Sequence, residues 1–220
     1  MTLSAFIKIS LITLALFGIS ILTAQQVPAS NIKAGTVKYH PNGLISHARL
    51  LAAQEIQGFP CKNWVAFSPA GKLIAFDSSK LYQMGQDRIP AGSRFALYET
   101  GEIKHILLAK VTRIQGYLCV GYGLESPEIN FWQNGKLKSA YLKQATVING
   151  LTAKAGSFSP VQFAEDGSLT KLTLDKAATV EGKSYKAGTI LSFGAGRKLL
   201  KAERPGYFKR MGTAIMDSFV

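Results

Sequence analysis

The chain is poor in the side chains that usually carry chemistry. Its 220 residues include three histidines, two cysteines and two tryptophans, and only 13 acidic residues stand against 26 basic ones. The histidines, His40, His47 and His105, fall at no spacing that closes a zinc site. Asp166-Gly167-Ser168 reads as a turn, because the alternating acidic ligands of a calcium loop are missing around it. Gly121-Tyr122-Gly123 and Gly194-Ala195-Gly196 are too short to cradle a phosphate, and no serine sits in a nucleophile elbow. The expectation is therefore a chain with no catalytic residues, no metal and no cofactor, a binding or structural protein and not an enzyme.

Long apolar runs are also scarce. The one extended run, Ile9 to about Ala24, falls short of the roughly 20 residues that a bilayer span requires. Preceded by Lys8 and followed by Gln25-Gln26, it reads as a secretory signal peptide over residues 1–24, with an uncleaved N-terminal anchor as the alternative. The export reading places the protein in the periplasm or cell envelope of a bacterium, with membrane contact only if the segment is retained. The formal charge of +13 is spread singly along the chain, with Arg197-Lys198 and Lys209-Arg210 the nearest to basic runs. Such a balance fits a solvated basic face, an envelope protein or an acidic glycan as partner, and no specific nucleic acid. Cys61 and Cys119 hold equivalent places, each three residues after an Ile-Gln-Gly tripeptide, with a whole repeat between them. Stacked strands would hold them beyond the roughly 7 Å that a disulfide tolerates, so two free buried thiols are expected.

Six copies of a short pattern account for most of the rest. An apolar pair two residues apart is followed, six residues after its second member, by another apolar residue: Val37/Tyr39 then Ile45, Val65/Phe67 then Leu73, Phe95/Leu97 then Ile103, Ile129/Phe131 then Leu137, Val161/Phe163 then Leu169, Leu191/Phe193 then Leu199. Between pair and follower lies a turn with Gly43, Gly71, Gly101, Gly135, Gly167 or, one place early, Gly196. Spacing by two around a glycine turn predicts a hairpin at every copy. After the turn the apolar residues step by three and then two, as in Ile45/Ala48/Leu50, which predicts a bulge. Thirteen residues after each of the first five glycines comes a further apolar residue with a glycine within two places, so each unit holds three or four short strands. The register overrides the helical look of Ile45 to Gln57.

Tyr39-His-Pro-Asn-Gly-Leu-Ile, echoed by Phe131-Trp-Gln-Asn-Gly-Lys-Leu and Phe163-Ala-Glu-Asp-Gly-Ser-Leu, resembles the MORN-like repeats of exported bacterial and antitoxin-type proteins. The likeness spans roughly residues 34–202 and implies a hairpin-repeat architecture, with no catalytic residues to carry over. The expected fold is all-β, an antiparallel β-hairpin repeat array of about six units in an elongated or curved sheet. A short linker is placed at 25–33, the repeat domain at 34–202, and a C-terminal cap or tail at 203–220. Length variation is confined to the connection before each pair, longest from Gln115 to Glu128, so recognition is expected on one side of the array. Tyr117, Tyr122 and Trp132 are the candidate binding residues, Trp132 because it points away from Phe131. The rival readings are an enzyme acting on an envelope polymer, with carboxylates gathered from Glu99, Glu102, Glu125 or Glu128, and a membrane-tethered adaptor.

Overall fold

The computed structural model describes residues 27–123 and 125–204. Residues 1–24, expected to form a signal peptide, and residues 205–220 of the expected C-terminal cap or tail lie outside the described residues. Alternating patterning produces an all-β fold. The first unit contributes β1 (Lys38–Tyr39), β2 (Ile45–Arg49) and β3 (Gln54–Ile56). The second has β4 (Phe59–Phe67), β5 (Leu73–Ser78), β6 (Tyr82–Met84) and β7 (Asp87–Ile89), and the third β8 (Arg94–Leu97), β9 (Ile103–Leu107), β10 (Thr112–Ile114) and β11 (Tyr117–Cys119). The fourth has β12 (Ile129–Phe131), β13 (Leu137–Ala140), β14 (Thr146–Ile148) and β15 (Leu151–Ala153), and the fifth β16 (Val161–Phe163), β17 (Leu169–Thr173), β18 (Ala178–Val180) and β19 (Lys183–Tyr185). The sixth ends the described chain with β20 (Ile190–Phe193) and β21 (Leu199–Glu203).

Thirteen strands form one open antiparallel sheet in the order β1-β2-β4-β5-β8-β9-β12-β13-β16-β17-β20-β21, with β3 on β4. The remaining eight form four separate two-stranded hairpins, β6–β7, β10–β11, β14–β15 and β18–β19. Each small hairpin turns on two residues. In four of the five such turns, the one joining β3 to β4 included, both central residues are left-handed: Gln57-Gly58, Gln115-Gly116, Asn149-Gly150 and Glu181-Gly182.

The large hairpins share another geometry. The amide of the residue after each pair bonds the carbonyl four places on, as in His40 to Leu44 (2.7 Å) and Trp132 to Lys136 (2.8 Å). A three-residue loop remains, its last position left-handed: glycine in five hairpins and Arg197, at φ 64°, in the sixth. Three residues after that position the register shifts. Phe131 faces Leu137 but Asn130 faces Ser139, and the same slip occurs in all six hairpins. The expected bulge is present at every copy.

The small hairpins lie against one face of the sheet, and a single apolar core fills the space between. Its sheet side includes Val65, Phe67, Phe76, Phe95, Ile106, Ile129, Phe131, Leu172 and Leu191, and its hairpin side Ile56, Ile89, Ile114, Cys119, Ile148 and Leu151. Burial of each large side chain contributes about 1.5–3 kcal/mol. Phe76 and Phe95 stack at 4.8 Å, with Phe59 and Tyr82 closing over them at 5.1 and 5.2 Å. Tyr39 alone among the second members of the pairs is exposed, since it sits on the first strand of the sheet. The thiols of Cys61 and Cys119 are free and buried, each donating to the carbonyl two residues back at 3.4 Å, and burial raises both to about 12.

Residues 27–33 do not behave as a linker. Val27 is buried, Ile32 bridges Leu50, and the Asn31 side chain donates to the Ala52 carbonyl and accepts from its amide. Ile32 thereby stands where Cys119 stands to Leu142 and Ala153 to Leu174, so this segment imitates the end of a preceding unit. The long 115–128 connection is tighter than a loop, since its first part is β11. Its remainder is tied by buried Ser126, whose hydroxyl donates to the Leu108 carbonyl and accepts from the Tyr122 amide.

At Gly121 an added Cβ would lie 2.2 Å from the Lys110 carbonyl carbon and oxygen, so only glycine lets the two backbones meet. Gly121→Ala is expected to lower unfolding free energy by roughly 2–4 kcal/mol, against about 1 kcal/mol for Gly150→Ala, whose cost is left-handed strain in open space. Urea denaturation of the two variants checks the ranking.

Candidate binding face

The bulge decides what the other face of the sheet presents. A step of three between buried positions, as from Leu137 to Ala140, leaves two successive residues outside the core. The dipeptides at these places are Ser46-His47, whose serine is itself buried, Ile74-Ala75, Lys104-His105, Lys138-Ser139, Thr170-Lys171 and Leu200-Lys201. Their second members lie in one row that crosses twelve of the thirteen strands, all but β3, by direct pairing: Lys38, His47, Ala66, Ala75, Ala96, His105, Asn130, Ser139, Gln162, Lys171, Ser192, Lys201. This row contains no apolar side chain larger than alanine.

A second line runs beside it. Trp64 pairs with Arg49 across the ladder and has the Arg94 guanidinium 4.6 Å from its ring and the His47 ring at 5.9 Å. Arg94 grips Asp77 through Nε–Oδ1 at 2.7 Å and Nη2–Oδ2 at 3.2 Å, with the Asp77 side chain only 9% exposed. Two parallel bonds hold both partners in place. His105 Nε2 lies 3.7 Å from Glu128 Oε1.

The turn end of the face is laced from unit to unit. His40 Nε2 donates to the Phe67 carbonyl at 2.9 Å, Tyr98 Oη to Phe131 at 2.9 Å, and Trp132 Nε1 to Phe163 at 3.0 Å. The three donors are repeat-equivalent, each following the pair of its own unit and reaching the pair of the next. Asn42, Lys72, Asn134 and Lys136 extend the lacing between turns by donating to the carbonyls of Pro69, Glu99, Glu165 and Asp166.

The three sequence candidates are therefore set apart. Tyr117 belongs to β11, its ring half-buried and 5.4 Å from Phe163, and burial raises its phenol above the usual range. Tyr122 is 52% exposed on the connection beyond β11. Trp132 is half-buried, its indole N–H committed to Phe163 and its ring covered by Lys138 Nζ at 4.3 Å. Of the carboxylates, Glu99 and Glu102 sit in and beside the third turn, where Glu102 accepts from the Thr100 hydroxyl, and Glu125 and Glu128 lie in the connection between β11 and β12. The face residues Trp64, Asp77 and Arg94 were not singled out in the sequence; the step of three after each turn was the available signal for paired outward positions.

No family model matches the chain. A search of curated proteins also gave no match. Geometry and charge must carry the functional argument. The face bears Lys38, Arg49, Arg94, Lys104, Lys138, Lys171 and Lys201 against Asp77, Glu128 and Glu203, and these acids already lie beside Arg94, His105 and Lys201. It is a cationic surface with polar and aromatic side chains between the charges. Among the described residues, no group of three metal-ligating side chains is gathered.

Burial pushes the His105 imidazole below its usual range, Glu128 pulls it back up, and Lys104 adds to the depression. The folded chain therefore binds this proton less readily than the unfolded one. Stability from the neutral ring is complete above about pH 6.5 and is lost as pH falls through the lower folded value. Urea midpoints measured downward from about pH 7.5 should decline more steeply in the parent chain than in His105→Gln.

Proposed function

We propose that this chain is an exported, non-enzymatic scaffold of the periplasm or cell envelope whose open sheet face binds an acidic polysaccharide. The row of outward residues running from Lys38 to Lys201 carries the reading. Lysines stand at its two ends and, as Lys171, within it; Arg94, Lys104 and Lys138 lie beside it, and the hydroxyl, amide and imidazole groups of the row suit hydroxylated, carboxylated rings. Lys138 over Trp132 and Arg94 over Trp64 rest on aromatic rings, which hold these two cations in place on the face. A linear polyanion can lie across successive strands, which lie about 4.8 Å apart, and meet one unit after another. Export is inferred from residues 1–24, and the MORN-like resemblance accords with both the repeat and the secreted setting.

Polygalacturonate should bind, dextran should not, and added salt should weaken the complex as the charges are screened. Replacing Lys104, Lys138 and Lys171 together by glutamate should weaken polygalacturonate binding by at least about tenfold while leaving the fold intact. Indifference to the triple change, or equal binding of dextran, would refute the reading. The mass of the chain recovered from the envelope fraction should correspond to loss of residues 1–24.

A further inference from the structure

The five junctions between units share one register. In each, the residue four places after the left-handed turn position pairs with the residue five places before the next: His47 with Ala66, Ala75 with Ala96, His105 with Asn130, Ser139 with Gln162, Lys171 with Ser192. The same rule applied once more to the sixth unit selects Lys201, and applied backward from the first unit it selects Lys38. These are the two residues at which the row ends, on the two terminal strands of the sheet.

A second copy placed by this rule would set its β1 against β21, with its Lys38 opposite Lys201 and its Val37 opposite Ala202. Two features of the ends fit that neighbour. Tyr39 is 62% exposed, whereas Phe67, Leu97, Phe131, Phe163 and Phe193, its equivalents inside the array, are buried. The Ile32–Leu50 bridge puts residues 27–33 in the place of a preceding small hairpin and leaves the outer edge of β1 unpaired among the described residues. Against these stands one repulsion. Like charges directly opposite across a ladder destabilise the pairing, and lysine on an edge strand is a common guard against sheet extension.

We propose that copies of this chain add head to tail, β21 of one to β1 of the next, and that the opposition of Lys201 and Lys38 is the gate that holds them apart. The contact is heterologous, so a relieved gate yields an open chain of copies and not a closed dimer. The interface is small, which makes its occupancy sensitive to a single charge.

A charge-swap series in the full chain tests this by sedimentation velocity at low ionic strength. Lys38→Glu and Lys201→Glu each place opposite charges at the junction and should tighten self-association by at least roughly tenfold over the parent chain. The double reversal restores a like-charged pair and should return to the parent's behaviour. The parent should associate more readily as salt screens the lysines, and the single reversals less readily. All variants carry the same N-terminal segment and an unchanged core, and far-ultraviolet circular dichroism verifies the fold of each. Single reversals that sediment as the parent does overturn the proposal, as does a double reversal that associates as the singles do, because loss of lysine and not its opposition would then be responsible.

Discussion

One residue in each hairpin of the sheet has no counterpart across the ladder, and the arrangement of the molecule follows from it. The three-residue turn needs a left-handed final position, met by glycine five times and by Arg197 once, and the register slip comes at the third residue after it. Without the slip, Leu137 and Ala140 could not both reach the core, because side chains in a regular strand alternate strictly. With it, every return strand keeps an apolar inner face and gains an extra outward residue. The core and the basic face are thus two results of the same insertion.

Cohesion between units comes from both layers. The inner layer is apolar contact between small hairpins and sheet, strengthened where side chains of the small turns reach the next large one. Gln57 donates to the Gly71 carbonyl and accepts from the Leu73 amide, and Gln115 does the same with Gly135 and Leu137. These glutamines sit in left-handed positions, where a long side chain costs some backbone strain, offset by two hydrogen bonds to backbone groups. Glu181 retains one of the two bonds, to the Leu199 amide. The outer layer is the lacing by His40, Tyr98 and Trp132, which fixes each pair against its predecessor.

Much of this was legible in the sequence because it depends on short-range spacing. The pairs, the turn glycines and the step of three specify strand, turn and bulge within about a dozen residues. A unit of three or four strands was legible too, from the second glycine. A third glycine was overlooked: Ala34-Gly35-Thr36, Ala91-Gly92-Ser93, Ala155-Gly156-Ser157 and Ala187-Gly188-Thr189 each carry a left-handed glycine where the chain approaches the next large hairpin. Those at 92, 156 and 188 donate to the carbonyls of Ser78, Leu142 and Leu174. Trp132 was less readable, since alternation correctly turns its ring away from Phe131 but says nothing of the neighbouring carbonyl that captures its N–H. Tyr117 was misplaced on a loop because a three-residue strand after a two-residue turn has too little pattern to stand out.

The first and last strands lie at opposite edges of a meander in which nearly every strand contacts only its neighbours in the order. Tension applied between the two ends would act across the ladder, loading the hydrogen bonds of one outer strand at a time instead of shearing all of them together. Each hairpin unit set free would lengthen the chain by about 100 Å, from some 30 residues at roughly 3.4 Å each. The turn donors and the small-turn glutamines bind each unit to the next and would give way in sequence. Mechanically the array is a graded spring, soft from its edges inward, and its compliance is set by unit number and not by core size.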